Sequence, residues 1–276
     1  MTEKTHSPLR IAVEFAVLFS IPLLLIGIHY VTSEAMRASL YFYLADPSLP
    51  AAWTGAVVHG SWDHVVGNSV AYLLAIFMIH TIYTRWGKDR LLWILFIVVL
   101  LTTPPVQSFF DFLALNVYLG AGDQANTKGF SGVVGAFIGM LMVTIGAYTA
   151  TRINRTVGNN LTLLIFYFAA AVILAIYTPE GLVVPVAALI FVGIVSAVWY
   201  GTANLDVGGI GSLRDHLRAE FEDVAVVCLS VVVVLFLVYL SFPSDPGAGG
   251  TTANLIGHLT GIGYGFAVTA TAVRVM

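Results

Sequence analysis

Charged side chains are scarce in this chain, because only 10% of its 276 residues are Asp, Glu, Lys or Arg. A soluble domain carries about 25%. So few ionisable groups cannot cover a water-facing surface of this size, and the mean hydropathy of +0.90 agrees. The sequence therefore predicts a protein whose main solvent is lipid. The formal net charge of −3 gives no support for nucleic-acid binding.

Cysteine is nearly absent as well. The single one, Cys228, lies in an apolar run and is interpreted as a packed thiol. One cysteine excludes an internal disulfide framework and a cysteine-based metal site. No motif calls for a cofactor.

Long apolar runs dominate what is present. A membrane-spanning helix needs about 20 mostly apolar residues. The hydropathy predicts an all-α polytopic membrane protein with about eight transmembrane helices, forming a single membrane-embedded domain over 1–276. The predicted spans are 10–30, 64–84, 91–110, 131–150, 161–178, 182–200, 223–242 and 253–274.

The basic residues test this layout. If the N-terminus is cytoplasmic, ten of the twelve Lys and Arg residues lie in inner segments. Only Arg37 and Lys128 lie outside, which is a strong positive-inside bias. The inner residues are Lys4, Arg10, Arg85, Lys88, Arg90, Arg152, Arg155, Arg214, Arg218 and Arg274. The chain is therefore predicted to be multi-pass, with both termini cytoplasmic.

Three segments between the spans have their own character. The aromatic-rich outer segment 31–58 suits the membrane interface. The outer segment 242–252 is rich in Pro and Gly, so we expect it to be mobile. The inner segment 201–222 is interpreted as a connector with a short helix.

The first polar cluster, GlyPheSerGly at 129–132, opens the predicted span 131–150. A serine at a helix start leaves its hydroxyl and the nearby backbone amides open to a ligand. Those amides could stabilise a developing oxyanion. The alternative is that Ser131 is a small packing residue, which is common in membrane helices.

The second cluster, GlyHisLeuThrGly at 257–261, lies in the last predicted span. His258 is either a general base or an interhelical hydrogen-bond donor. Small residues recur every four positions on both helices, which predicts close approach of their backbones. These packing positions are Gly135 and Gly139 after Ser131, and Gly257, Gly261 and Gly265 around His258.

The third cluster comprises His59, His64 and Asn68. Residues 64 and 68 are four apart, so they share one helical face. Both side chains can donate hydrogen bonds to an oxyanion. Two histidines with His258 could instead hold zinc, but no HExxH motif or carboxylate partner at helical spacing accompanies them.

Together, in this order, the three clusters resemble the rhomboid family of intramembrane serine proteases. GlyPheSerGly resembles its GxSG motif, and GlyHisLeuThrGly with Gly265 resembles its HxxGxxxG helix. His59, His64 and Asn68 match its HxxxxHxxxN element. The likeness covers about 59–265 and implies a rhomboid-like helical bundle.

The resemblance implies that Ser131 is the nucleophile and His258 its base, with no third acid. It implies an oxyanion site made of His64, Asn68 and the backbone amide of Ser131. It also implies that no metal or other cofactor takes part. The substrates would be transmembrane segments of membrane proteins, cut near the outer side of the bilayer.

Four further positions follow from the same resemblance. Gly129 would line the site, and His59 would be a neighbouring structural or water-organising residue. Segment 242–252 would be the gate loop after span 223–242, and 31–58 would be the family's interfacial loop.

The chain departs from the family pattern in three places. Three spans, rather than one, separate the serine helix from the histidine helix; the even excess keeps both residues on one side. Gly135 stands where many bacterial members carry an aromatic ring. Trp53 has no adjacent arginine.

Two other functions stay open. An inactive rhomboid-like protein would bind and escort membrane clients without cutting them. A transporter would show paired interrupted helices and intramembrane carboxylates, for which Glu14 is the main candidate within a span. The composition fits the plasma membrane of a prokaryote, either bacterial or archaeal.

Overall fold

The computed structural model describes residues 7–120, 125–177, 191–193, 195, 220–241 and 251–275. Within these ranges the chain is an all-α multi-pass membrane protein with one pair of short antiparallel strands. The helices are α1 (Pro8–Val31), α2 (Glu34–Ala38), α3 (Leu49–Val57), α4 (Trp62–Trp86), α5 (Asp89–Asp111), α6 (Ser131–Arg152), α7 (Arg155–Tyr177), α8 (Phe221–Ser241) and α9 (Thr251–Val275). A π-helical segment, Phe112–Tyr118, continues α5.

Six helices in the described ranges are long and apolar enough to cross a membrane. They are α1, α4, α5 with its π-helical continuation, α6, α7 and α8. Each corresponds to a predicted span, so an all-α membrane protein with several spans is confirmed. Helix α9 covers the predicted last span but is less apolar, since it carries Gly, Thr, His and Arg residues. The predicted span 182–200 lies mostly outside the described residues, as do most of the connector 201–222 and the gate loop 242–252, so the count of eight stays a prediction.

Local signals fix several helix ends. The Ser7 and Ser61 hydroxyls cap α1 and α4 by accepting backbone N–H bonds. Helix α4 ends at Gly87, whose φ of +73° is left-handed and favours glycine. Pro104 and Pro105 do not end α5. With its π-helical segment, that span reaches 30 residues, Asp89–Tyr118, which is longer than the predicted 91–110.

Helix α6 is the central element of the bundle. Of its most apolar window, 89% is buried inside the protein. Helices α4, α5, α7, α8 and α9 all pack against it. Large apolar side chains such as Phe137 and Tyr148 are fully buried there and fill the core.

The most extensive helix pair in the described structure is α6 with α9. A Cβ added to Gly261 would clash with the Gly132 backbone, and one added to Gly265 would clash with the Ala136 backbone. Increasing numbers on α6 meet increasing numbers on α9, so the two helices run parallel. Their N-terminal ends, which carry Ser131 and His258, therefore lie at the same end of the bundle.

The opposite end is held by ion pairs. Asp223 of α8 accepts hydrogen bonds from Arg85 of α4 at 3.3 Å and Arg152 of α6 at 3.2 Å. It also accepts one from the Tyr148 hydroxyl at 2.5 Å. Because one buried carboxylate meets two arginines, three helices are joined there.

Glu14, the carboxylate singled out in the first span, lies in a second such network. It accepts a hydrogen bond from Arg10 at 2.8 Å and is 2.9 Å from His80 Nε2. A partner within α1 and another on α4 give this carboxylate a structural role.

Segment 31–58 contains the short helices α2 and α3 and one short strand. Strand β1 (Phe42–Tyr43) pairs antiparallel with β2 (Asn126–Thr127), which lies just before the serine motif. The indole of Trp53 on α3 donates to the Leu101 carbonyl at 2.8 Å. These contacts tie the interfacial segment to α5 and to the chain that enters α6.

Replacing Gly265 with alanine tests the α6–α9 contact. A methyl group at 265 meets the Ala136 backbone, which has no room to move without separating the helices. Overpacking of this kind costs about 1–3 kcal/mol. We expect Gly265→Ala to lower the thermal unfolding midpoint in detergent micelles.

Gly263→Ala is the matched control. It is two residues away on the same helix, is exposed, and has nothing within 4 Å of an added Cβ. Its midpoint should stay at or slightly above that of the unmodified protein, because alanine favours helix. Equal losses in the two variants would contradict the close contact.

Candidate active site

Ser131 is the first residue of α6, and 7% of its surface is exposed. The residue before it, Phe130, has φ −77° and ψ 1°, and no side chain caps the helix. The amides of a helix's first turn have no intrahelical partner. The serine hydroxyl thus lies beside backbone donors that no cap occupies.

The segment that leads into α6 is held in one conformation by a backbone hydrogen bond at Gly129. Gly129 donates its N–H to the Gly55 carbonyl at 2.9 Å, next to the β1–β2 pairing. Its φ of +103° is a conformation that other residues rarely adopt. An added Cβ would lie 2.7 Å from the ring of His64. Glycine is therefore required at 129 both by the backbone and by the adjacent ring.

His59 holds the segment before α6 through a hydrogen bond to its backbone. It is fully buried, and its Nε2 accepts the Phe130 N–H at 3.1 Å. Burial, aided by the nearby His64 and His29, lowers the pKa of His59 to about 3. The ring is therefore neutral at pH 7, which leaves Nε2 free to accept.

His64 and Asn68 lie one turn apart on α4. The His64 ring is half-buried and meets His59 edge-to-face at 5.0 Å. Asn68 is buried, and its amide nitrogen has no hydrogen-bond partner in the part of the chain that the structure describes. A buried donor without a partner is uncommon and calls for an explanation. This amide nitrogen is therefore available as a donor to a ligand.

His258 lies two turns into α9 and is half-buried. Its backbone carbonyl would be 2.9 Å from a Cβ at Gly135. Glycine at 135, where the rhomboid pattern often has an aromatic ring, is thus what lets the α9 backbone approach α6. The backbone of Ser241, the last residue of α8, lies beside the imidazole.

The packing glycines have two different neighbours. Gly135 and Gly139 of α6 and Gly261 and Gly265 of α9 lie in the α6–α9 contact. Gly257 instead faces α5, where an added Cβ would lie 2.6 Å from Gln107 Nε2. The repeat every four residues on α9 therefore crosses from one neighbouring helix to another.

Two polar residues near the site were missed by the sequence analysis. Gln107 contacts both Gly132 and Gly257, and the fully buried Asp111 lies one turn beyond it on α5. Asp111 falls just past the predicted span 91–110, so it was not considered as an intramembrane carboxylate. Costly polar residues four apart in an apolar run were the available signal.

The zinc alternative finds no support. Across the described ranges, no three His, Cys, Asp or Glu side chains form a group that could hold a metal ion. The histidine pair of His59 and His64 is instead engaged with the loop that leads to Ser131.

Comparison with known proteins adds no relative. No family model matches the chain, and no curated protein or solved structure does so either.

Changing His59 to alanine tests its support of the serine loop. The substitution leaves the Phe130 N–H buried without its acceptor, which costs about 1–3 kcal/mol. We expect a lower unfolding midpoint in micelles. His59→Gln, which retains an acceptor oxygen, should recover part of the loss; equal losses in both variants would show that the hydrogen bond is unimportant.

Proposed function

We propose that this protein is a rhomboid-like intramembrane serine endopeptidase that cleaves transmembrane segments of membrane proteins. The observation that carries the proposal is the parallel, backbone-close packing of α6 on α9. It brings the helix start at Ser131 and the His258 region to the same end of the bundle. A serine and a histidine on two helices in direct contact are the minimum for a nucleophile and its base.

The reaction follows from these roles. His258 takes the hydroxyl proton as Ser131 Oγ attacks the scissile carbonyl carbon. The tetrahedral intermediate collapses, the C–N bond breaks, and His258 returns the proton to the leaving amine. A water, deprotonated by the same imidazole, then hydrolyses the acyl-enzyme.

The oxyanion requires donors that are in place before the reaction. The Ser131 backbone amide begins an uncapped helix. Asn68 offers a buried amide with no partner among the described residues, and His64 lies one turn away from it. The contact of Gly129 with the His64 ring holds that histidine next to the serine loop.

The membrane orientation rests on charge. The excess of Lys and Arg in the segments assigned to one side favours cytoplasmic termini and a site toward the outer side of a plasma membrane. Substrates would be single-span proteins whose helix unwinds near that surface.

The proposed frame is a rhomboid-like bundle of about eight spans. It comprises the six apolar helices, α9, and one more span over 182–200. Helix α8 packs on α4 and α6 and ends at the segment assigned as the gate loop.

The dyad is tested by removing each member. In detergent-purified protein that cleaves a model transmembrane substrate, Ser131→Ala and His258→Ala should each abolish cleavage. The reason is that the first removes the nucleophile and the second its base. The measurement is product formation on gels, and full activity in Ser131→Ala would refute the nucleophile.

A fluorophosphonate probe separates the enzyme from a protein that only binds clients. Labelling should occur at Ser131 and require His258, because only an activated serine reacts. Retained labelling in His258→Ala would remove that residue as base. Client binding with neither labelling nor cleavage would favour the escort function.

The oxyanion role of Asn68 has its own test. Asn68→Ala should lower kcat by about 10²-fold, the usual effect of losing one donor. The unfolding midpoint should hold, since the amide nitrogen has no hydrogen bond to lose. Ser69→Ala, which also removes a buried polar group with no partner in the described structure, is the control and should cleave normally. An unchanged rate in Asn68→Ala would discard the role.

A further inference from the structure

The side chain of Gln107 separates two backbone segments next to the proposed dyad. A Cβ added to Gly132, which follows Ser131, would overlap the carboxamide oxygen of Gln107. A Cβ added to Gly257, which precedes His258, would lie 2.6 Å from the carboxamide nitrogen. One side chain of α5 thus fills the space between the first turn of α6 and the second turn of α9.

This arrangement explains two glycines at once. Gly132 belongs to the serine motif and Gly257 to the histidine motif, and a side chain at either position would require the Gln107 carboxamide to move. The glycines farther along α6 and α9 face each other instead. At the dyad end of the contact, where the two backbones also meet directly at Gly135 and Gly261, a side chain of a third helix lies against both of them.

Asp111 fixes the orientation of that carboxamide. Its Oδ2 accepts a hydrogen bond from Gln107 Nε2 at 3.3 Å, one helical turn away. In the structure the amide nitrogen faces Asp111, and the amide oxygen faces Gly132. Asp111 is fully buried, and its Oδ1 makes no hydrogen bond within the ranges that the structure describes.

A buried carboxylate with an unused oxygen is expensive in a membrane protein. The inner end of the bundle shows how this chain satisfies such a group, since Asp223 there meets two arginines. Among the described residues, Asp111 meets the Gln107 side chain and lies near the Thr127 hydroxyl. A group retained at this cost, adjacent to the site, points to a role in the reaction rather than in stability.

We propose that Gln107, oriented by Asp111, is a positioning residue of the active site: its carboxamide sets the separation between the backbone that carries Ser131 and the backbone that carries His258. The inference rests on the proposed protease function. The proton transfer between the two side chains depends on that separation, because a misplacement of about 1 Å can cost roughly 10²-fold in rate.

The test is steady-state cleavage of a transmembrane substrate by the full chain in lipid vesicles. Gln107→Met keeps the length but cannot bond to Asp111, and Asp111→Leu removes the acceptor. Each should lower kcat by roughly 10²-fold with little change in KM, since the substrate still binds and only the reacting geometry is lost. Asp111→Asn keeps an acceptor oxygen and should restore most of the activity.

Thr103→Val is the matched control on the same helix. It removes a fully buried hydroxyl that bonds only to the Val99 carbonyl of its own helix, so kcat and KM should not change. If Gln107→Met fails to fold, as judged by gel filtration, Gln107→Asn replaces it. That change withdraws the carboxamide by one methylene, and the same loss in kcat is expected.

The outcomes separate the two proposals. Wild-type kcat in the Gln107 variant, with Ser131→Ala inactive, would overturn the positioning role and leave the protease intact. A change in KM alone, or an Asp111→Asn variant as poor as Asp111→Leu, would also overturn it. Absence of cleavage by the unmodified protein, or cleavage that survives Ser131→Ala, would refute the protease and the positioning role with it.

Discussion

The contact between the backbones of α6 and α9 is the constraint on which the rest of the site depends. Lipid is as apolar as the side chains, so helices in a membrane associate through close packing rather than through the hydrophobic effect. Gly135, Gly139, Gly261 and Gly265 make that packing possible because each position would clash if it carried a Cβ. The same contact also sets how far along the bundle axis Ser131 lies relative to His258. Packing and the placement of the proposed dyad are therefore one property of the structure.

The two ends of the bundle differ in whether their buried polar groups have hydrogen-bond partners. At the end that carries Asp223, this carboxylate meets Arg85, Arg152 and Tyr148, so a buried charge is neutralised and joins three helices. At the end that carries Ser131, Asn68 has a donor and Asp111 an acceptor without a partner in the described structure. Satisfied groups stabilise the fold. Unsatisfied ones are costly unless a ligand or a reaction uses them, and Asp111 bonds to the Gln107 side chain that reaches Gly132.

Sequence reasoning located the spans well and the ends of α5 poorly. Hydropathy gave α4, α6 and α8 to within a few residues, because a run of about 20 apolar residues has few alternative structures in lipid. It ended α5 at 110, whereas a π-helical segment carries that span on to Tyr118. Because the predicted span stopped one residue before Asp111, this residue was not recognised as a carboxylate inside a span. Spacing of four along α9 also grouped Gly257 with the α6 contact, although that glycine faces Gln107 of α5.

Composition and hydropathy by themselves determined that this is a multi-pass helical membrane protein, and local sequence determined that a helix begins at Ser131 after a flexible glycine. These are properties of short segments and of average solvent preference. Only the tertiary structure decided which helix each face meets, because helical periodicity defines a face and not its neighbour. The insertion of Gln107 between Gly132 and Gly257 joins residues 25 and 150 positions apart, and no local pattern specifies such a contact.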